Sequence, residues 1–207
     1  GNLNIGIMET LCSSEYTDLF YTFQEKYPKI SLRLEVVTTL KAMEDLDKGI
    51  FDAIFLLDKT IIRPNWKTAR TFPSDISFFC ARSHPLAGQK NVSLERLLQE
   101  RFILTEKGCN YRQVFENDLA TAGLHLECAM EIGHTSYIIN AVSRLLGIGL
   151  LPVFTLKDAL SRGEISLIDV DSYQIQLAIQ VIYNTQRRIS LPLQVFLSEL
   201  GHSCFPE

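Results

Sequence analysis

Residues 131–152 read EIGHTSYIINAVSRLLGIGLLP, and this run limits the possible folds more than any other. A polar turn from Gly133 to Ser136 precedes Ile138, Ala141, Val142 and Leu145 at helical spacing, and a glycine stop leads into an apolar strand ending at Pro152. A helix opened by a hydroxyl turn and delivered straight into a buried strand is one part of an α/β crossover. The helix start gathers backbone N–H groups and about half a positive charge from the aligned peptide dipoles. It suits a small anion that is held and not chemically changed.

The same order recurs along the chain. LNIGIM at 3–8 predicts a buried strand, TLCSS at 10–14 a polar turn, and Tyr16, Leu19, Phe20, Phe23 and Tyr27 the inner face of a helix ended by Pro28. SLRLEVV at 31–37 is a second strand that passes through Thr38 and Thr39 into a helix carrying Leu40, Met43 and Leu46. Gly49 stops that helix before a third strand, FDAIFLL at 51–57. Residues 63–75, with two prolines, read as a linker, ISFFCAR at 76–82 as a strand, HPLAGQ at 84–89 as a loop, and Ser93 as the cap of a helix over 94–100.

FILT at 102–105 predicts a strand, EKGCN a turn, and 111–122 a helix with Phe115, Leu119 and Ala122 inward and Asn110 and Gln113 as a capping box. A strand at 125–131 leads to the opening run. Beyond Pro152 come a helix to Gly163, strands at 165–170 and 174–183, and a last helix with Val195, Phe196 and Leu200 inward. The alternation of Ile175, Leu177, Ile179, Val181 and Tyr183 predicts one covered face, and the tail from Gly201 is expected to be loosely ordered. Two α/β halves with polar turns at the carboxyl ends of their strands predict two lobes around a ligand cleft.

Composition narrows the function classes. A net charge of -4, from 20 Lys+Arg against 24 Asp+Glu with no cationic run, gives this chain no electrostatic basis for holding nucleic acid by itself. Cys12, Cys80, Cys109, Cys128 and Cys204 show no C-x-x-C and no zinc-ligand spacing, which points away from a metal or a disulfide framework and fits a reducing cytoplasm. Cys80 and Cys128 fall in predicted strands and are expected as buried small hydrophobes, and Trp66 as core or interface material. No apolar stretch reaches the ~20 residues of a membrane span, and the first residues lack a signal-peptide pattern. The chain begins almost inside its first strand, so a fragment of a longer protein is expected.

LNIGIM, FQEKYPKISLRLE, LDKGIFDAIF, SHPLAG and LLGIGLLP, in that order over residues 3 to 200, make the chain resemble the effector-binding domain of LysR-type transcriptional regulators. The resemblance implies a type 2 periplasmic-binding-protein fold, α/β with two Rossmann-like lobes around a cleft. Lobe I would comprise 1–77 with 181–207, and lobe II 78–180. It implies Thr10 and Thr39 as effector contacts from lobe I, and Thr105 with the Gly133 to Ser136 turn from lobe II. It also implies a small-molecule effector, a homodimer or homotetramer, DNA contact only through an absent N-terminal helix-turn-helix domain, no membrane partner and cytoplasmic location. It implies dimerisation through the helix at 16–27 and a facing edge of lobe II, with which exposed aromatics such as Tyr16 or Tyr21 would be consistent.

The candidate effector-binding residues are therefore Thr10, Leu11, Thr38, Thr39, Thr105, Tyr111, Gly133, His134, Thr135 and Ser136, with Ser13 and Ser14 as further hydroxyls. Each hydroxyl is also an ordinary cap or turn residue. His134 could meet an acidic effector, Lys107, Tyr111 and Arg112 could close over it, and Arg112 is the cation whose planar fork best fits a carboxylate. His84 reads as structural. Cys109 precedes a helix whose dipole could lower its thiol pKa, though no resolving partner is evident. No catalytic residue, cofactor or metal is expected. The alternatives are a free solute-binding protein of the same fold, or a two-lobed enzyme such as a short-form ATP phosphoribosyltransferase or a prephenate dehydratase. Those enzymes need a glycine and threonine phosphate loop or a Thr-Arg-Phe segment, and KTARTF at 67–72 has the residues in another order.

Overall fold

The computed structural model describes residues 1–12 and 16–202, so Ser13, Ser14, Cys204 and the rest of the tail beyond residue 202 lie outside the described residues. In chain order the elements are β1 (Asn2–Ile7), α1 (Glu9–Cys12), α2 (Tyr16–Lys26), β2 (Ser31–Val36), α3 (Thr39–Lys48), β3 (Ala53–Asp58) and β4 (Trp66–Ala81). There follow α4 (Leu94–Leu97), β5 (Phe102–Leu104), α5 (Asn110–Thr121), β6 (Cys128–Glu131), α6 (Thr135–Ser143) and β7 (Ile148–Pro152). The last four are α7 (Val153–Ser161), β8 (Ile165–Ile168), β9 (Ile175–Asn184) and α8 (Leu191–His202). Two compact units result, the first Gly1–Pro73 with Ala178–Glu207 and the second Ser74–Leu177.

In the first unit the strands run in the order β2-β1-β3-β9. Ile5 of β1 sits opposite Leu34 of β2 and Ala53 of β3, both parallel, and Phe55 of β3 opposite Val181 of β9, antiparallel. The unbroken apolar run of β3 suits a strand covered on both faces. The same holds for β9 from Ile179 to Asn184, where both faces are buried and not one as its alternation predicted. Phe20 of α2, Phe55 of β3 and Phe196 of α8 form the aromatic core, with Phe20 and Phe55 centroids 5.1 Å apart.

Several local expectations shift. The polar turn after β1 is a one-turn helix, α1, which buries Thr10 and Leu11. Thr38 caps α3 by accepting from the Lys41 N–H at 3.3 Å, and this start turns Ala42, Asp45 and Leu46 inward, leaving Leu40 68% exposed. Gly49 ends the helix at φ 72°, as expected of a glycine stop. Tyr16 is buried against Phe72, so only Tyr21 of the two expected aromatics is exposed. The supposed linker is strand from Trp66 onward, because WKTARTF is rich in β-branched and aromatic residues.

In the second unit the order is β8-β4-β7-β5-β6, with β5 parallel to β6 and β7 and the other pairs antiparallel. Phe78, Phe102 and Phe115 pack edge-on or tilted at its centre, the first and last at 4.9 Å. Helix α6 ends at Ser143, and the left-handed residue beyond it is Leu145 (φ 63°), which is exposed and not part of the inner face. Gly147 has a different purpose: a Cβ there would stand 2.5 Å from the Arg101 carbonyl oxygen, to which the next residue, Ile148, donates its N–H at 2.9 Å.

Helix α5 starts one residue early. Cys109 is its cap, without a side-chain bond, so Asn110 and Gln113 form no capping box, and Asn110, Tyr111 and Arg112 turn inward with Phe115 and Leu119 while Ala122 is exposed. Cys128 lies on the outermost strand and is exposed, unlike the buried Cys80. Among the described residues no helix is long and apolar enough to cross a membrane.

Candidate functional site

In the first unit the predicted residues gather at the carboxyl ends of parallel strands, where open α/β sheets place their ligands. Met8 links β1 to α1, donating its N–H to Phe55 O at 3.3 Å. Its Sδ accepts from the Leu57 N–H at 3.2 Å and from the Thr39 hydroxyl at 3.5 Å. Thr39, half-buried at the start of α3, is thereby held against the residue that leads into Thr10 and Leu11. Thr38 is exposed and its hydroxyl is engaged as the cap of α3.

Two residues of this edge escaped the sequence reading. Asp58 closes β3, and burial pushes its carboxyl above the ordinary range against the opposing bond from the Lys59 N–H. Gln180, buried in β9, accepts from the Ile61 N–H at 2.8 Å and donates to Lys59 O at 3.0 Å, pinning the turn after β3. The available signal was a polar residue inside the apolar run QLAIQVIY.

In the second unit, β5 and β6 end side by side, joined by the Ile132 N–H to Leu104 O at 2.9 Å. Thr105 follows directly, 5% exposed, and its hydroxyl has the Cys109 thiol as a polar neighbour but no closer hydrogen-bond partner. Glu106 lies against the turn into α6: a Cβ on Gly133 would be 3.4 Å from its Oε2. Two helices start here, α5 after Cys109 and α6 after His134, and neither cap residue's side chain bonds the first-turn amides. Gly133, His134 and Ser136 are exposed, Thr135 and Tyr111 are buried, and the His134 Nδ1 lies 2.9 Å from the Ser136 hydroxyl.

The cations fall otherwise than expected. Arg112 is buried, donating through Nε to Glu116 at 2.7 Å and through Nη1 to Glu131 at 2.8 Å and to the Thr105 carbonyl. It faces the interior because it lies one helical turn before Phe115, on the face that also buries Leu119. The bond from Arg112 holds the Glu131 carboxyl below the usual carboxylate range. Cys109 shows no helix-start activation: burial pushes its thiol up. Lys107 is exposed.

Elsewhere in the second unit a cavity of about 660 Å³ is lined by residues including Asp75, Phe78, Val153, Asp169 and Tyr173, and by none of the predicted contacts. Among the described residues no group of His, Cys, Asp or Glu could hold a metal ion.

Comparison with known proteins gives a consistent result. The family described as the LysR substrate binding domain matches residues 1–204. An uncharacterized HTH-type transcriptional regulator of Bacillus subtilis, YwqM, is 28% identical over 198 residues, covering 95% of this chain and 67% of its own length. The chain spans about two thirds of the length of the curated relatives it matches. Among solved structures, the CcmR regulatory domain of Synechocystis PCC6803 in complex with 2-PG superposes with a TM-score of 0.86 at 24% identity, covering 98% of this chain and 96% of that one. The effector-binding domain of QuiR in complex with shikimate gives 0.78 at 16% identity, covering 98% and 97%. At these identities the likeness establishes a shared fold.

Proposed function

Because the chain belongs to the LysR substrate-binding domain family, we propose that it senses a small anionic metabolite for a LysR-type transcriptional regulator, binding it at hydroxyl-lined turns that follow its strands. Its fold is the type 2 periplasmic-binding-protein fold that the resemblance implied. The observation that carries the ligand reading is the buried Thr105 hydroxyl, which has the Cys109 thiol as a polar neighbour and no closer hydrogen-bond partner, beside the starts of α5 and α6. A buried hydroxyl without a bond is costly, and an effector oxygen would relieve that cost. The amide ends of two helices favour negative charge there. Thr10, Leu11, Thr38 and Thr39 would contribute from the first unit, and Tyr111, Gly133, His134, Thr135 and Ser136 from the second. The complexes of the CcmR domain with 2-PG and of the QuiR domain with shikimate support small polar metabolites as the first ligands to try.

The role is binding without catalysis, in the cytoplasm, with DNA reached through an N-terminal helix-turn-helix domain. Support comes from the relatives' description as HTH-type regulators. Effector binding shifts the balance between arrangements of the oligomer that carries the DNA-binding domains. Self-association would use the exposed apolar surface of α2 and the outermost β2, where Tyr21, Leu34 and Val36 are uncovered, and the outermost β6 of the second unit.

A thermal-shift screen of 2-PG, shikimate, amino acids and central carboxylates tests the reading. An effector stabilises by roughly 2.7 kcal/mol at a hundredfold over its dissociation constant. Thr10→Ala, Thr39→Ala and Thr135→Val should each reduce that shift, and undiminished stabilisation in all three would place the ligand elsewhere.

A further inference from the structure

Within that reading, we infer that Arg112 is a positioning residue that fixes the Thr105–Cys109 turn in the shape an effector meets. Arg112 is the third residue of α5 and almost wholly buried. A cation near a helix start opposes the helix dipole, and burial adds a desolvation cost, so its presence there requires strong compensation. Three acceptors supply it: Glu116 one turn along, Glu131 at the end of β6, and the Thr105 carbonyl.

The pattern fixes a segment of chain. The Lys107 backbone N–H also faces the Glu131 carboxylate and favours its ionised form, so the turn is tied at Thr105 through Arg112 and lies against Glu131 at Lys107. Between these anchors and α5 lies Gly108 at φ 98°, a conformation with no side chain to stiffen it. The tie reaches Thr105 through its carbonyl and leaves the hydroxyl with no partner closer than the Cys109 thiol. Arg112 therefore acts on the effector through the turn and not by touching it, and Glu131 is the other half of the latch.

The test uses Glu131→Gln, which keeps shape and removes charge, and Arg112→Lys, which keeps charge and loses the fork. Amide hydrogen exchange is followed at 106–109 and, as internal reference, in α6 and β7, together with the affinity for 2-PG. Both variants should speed exchange at 106–109 tenfold or more with the reference amides unchanged, and weaken 2-PG at least threefold. Unchanged protection at the turn, a uniform rise across the unit, or lost protection with undiminished affinity overturns the inference. Should the wild type take no 2-PG at millimolar concentration, the choice of ligand class is what fails, and the exchange comparison still decides whether Arg112 fixes the turn.

Discussion

Thr105→Val should make the unliganded domain more stable and a poorer sensor. Thr105 is 5% exposed and its hydroxyl has no hydrogen-bond partner closer than the Cys109 thiol. Burying such a group costs roughly 1–3 kcal/mol. The Cys109 thiol is a polar neighbour whose contact with this hydroxyl opposes the burial effect on the thiol, so the low end applies, about 1 kcal/mol. Valine has nearly the same shape and replaces the hydroxyl with a buried methyl, adding up to about 0.8 kcal/mol.

The total gain is about 1–2 kcal/mol, which for a chain of this size raises the unfolding midpoint by about 2–8 °C. Calorimetry on the two proteins, each with and without effector, reads both consequences. Loss of one hydrogen bond to the ligand should weaken affinity by roughly tenfold. A lower midpoint in the variant would mean that the hydroxyl is already satisfied without ligand. A higher midpoint with unchanged affinity would mean that it does not face the effector.

Gly147→Ala should cost roughly 1–3 kcal/mol in urea unfolding, because its Cβ would meet the Arg101 carbonyl at 2.5 Å and force β5 and β7 apart; an unchanged midpoint would contradict that close approach. Iodoacetamide at pH 8 should label exposed Cys128 at least tenfold faster than Cys12 and Cys80, whose thiols burial pushes up to about 11, or buried Cys109, as read by peptide mass spectrometry; comparable labelling of Cys109 would contradict its buried placement. The lowered carboxyl pKa of Glu131 contributes stability that is present above the unfolded carboxylate pKa and lost as pH falls through the lower folded value. Between about pH 6 and pH 3 the wild type should therefore lose more stability than Glu131→Gln, and parallel urea-midpoint curves would remove the pair from the acid response.

Much of this arrangement was readable from residue order. The apolar runs of β1, β3 and β7 have few alternatives to a covered strand, and Thr38 with Gly49 marks both ends of α3. What escaped depends on tertiary context. The first half of β4 carries Lys67, Arg70 and Pro73 with no clean alternation, so its pairing cannot be inferred locally. The left-handed conformation of Leu145 follows from the abrupt passage between α6 and β7, with a glycine only two residues away. Arg112 stands in a polar stretch that reads as solvated, and its burial becomes apparent only once Glu131, from a distant strand, is beside it. For the same reason the buried Thr105 hydroxyl, the most informative atom of the candidate site, looks like any strand-end threonine in the sequence.

The most direct measurement is an amide chemical-shift map of the domain titrated with the strongest hit from the effector screen. The largest changes should fall on Thr10 and Leu11, on Thr39, and on Thr105 with Thr135 and Ser136. Changes concentrated instead around Asp75, Phe78, Asp169 and Tyr173, the walls of the separate cavity in the second unit, would contradict it.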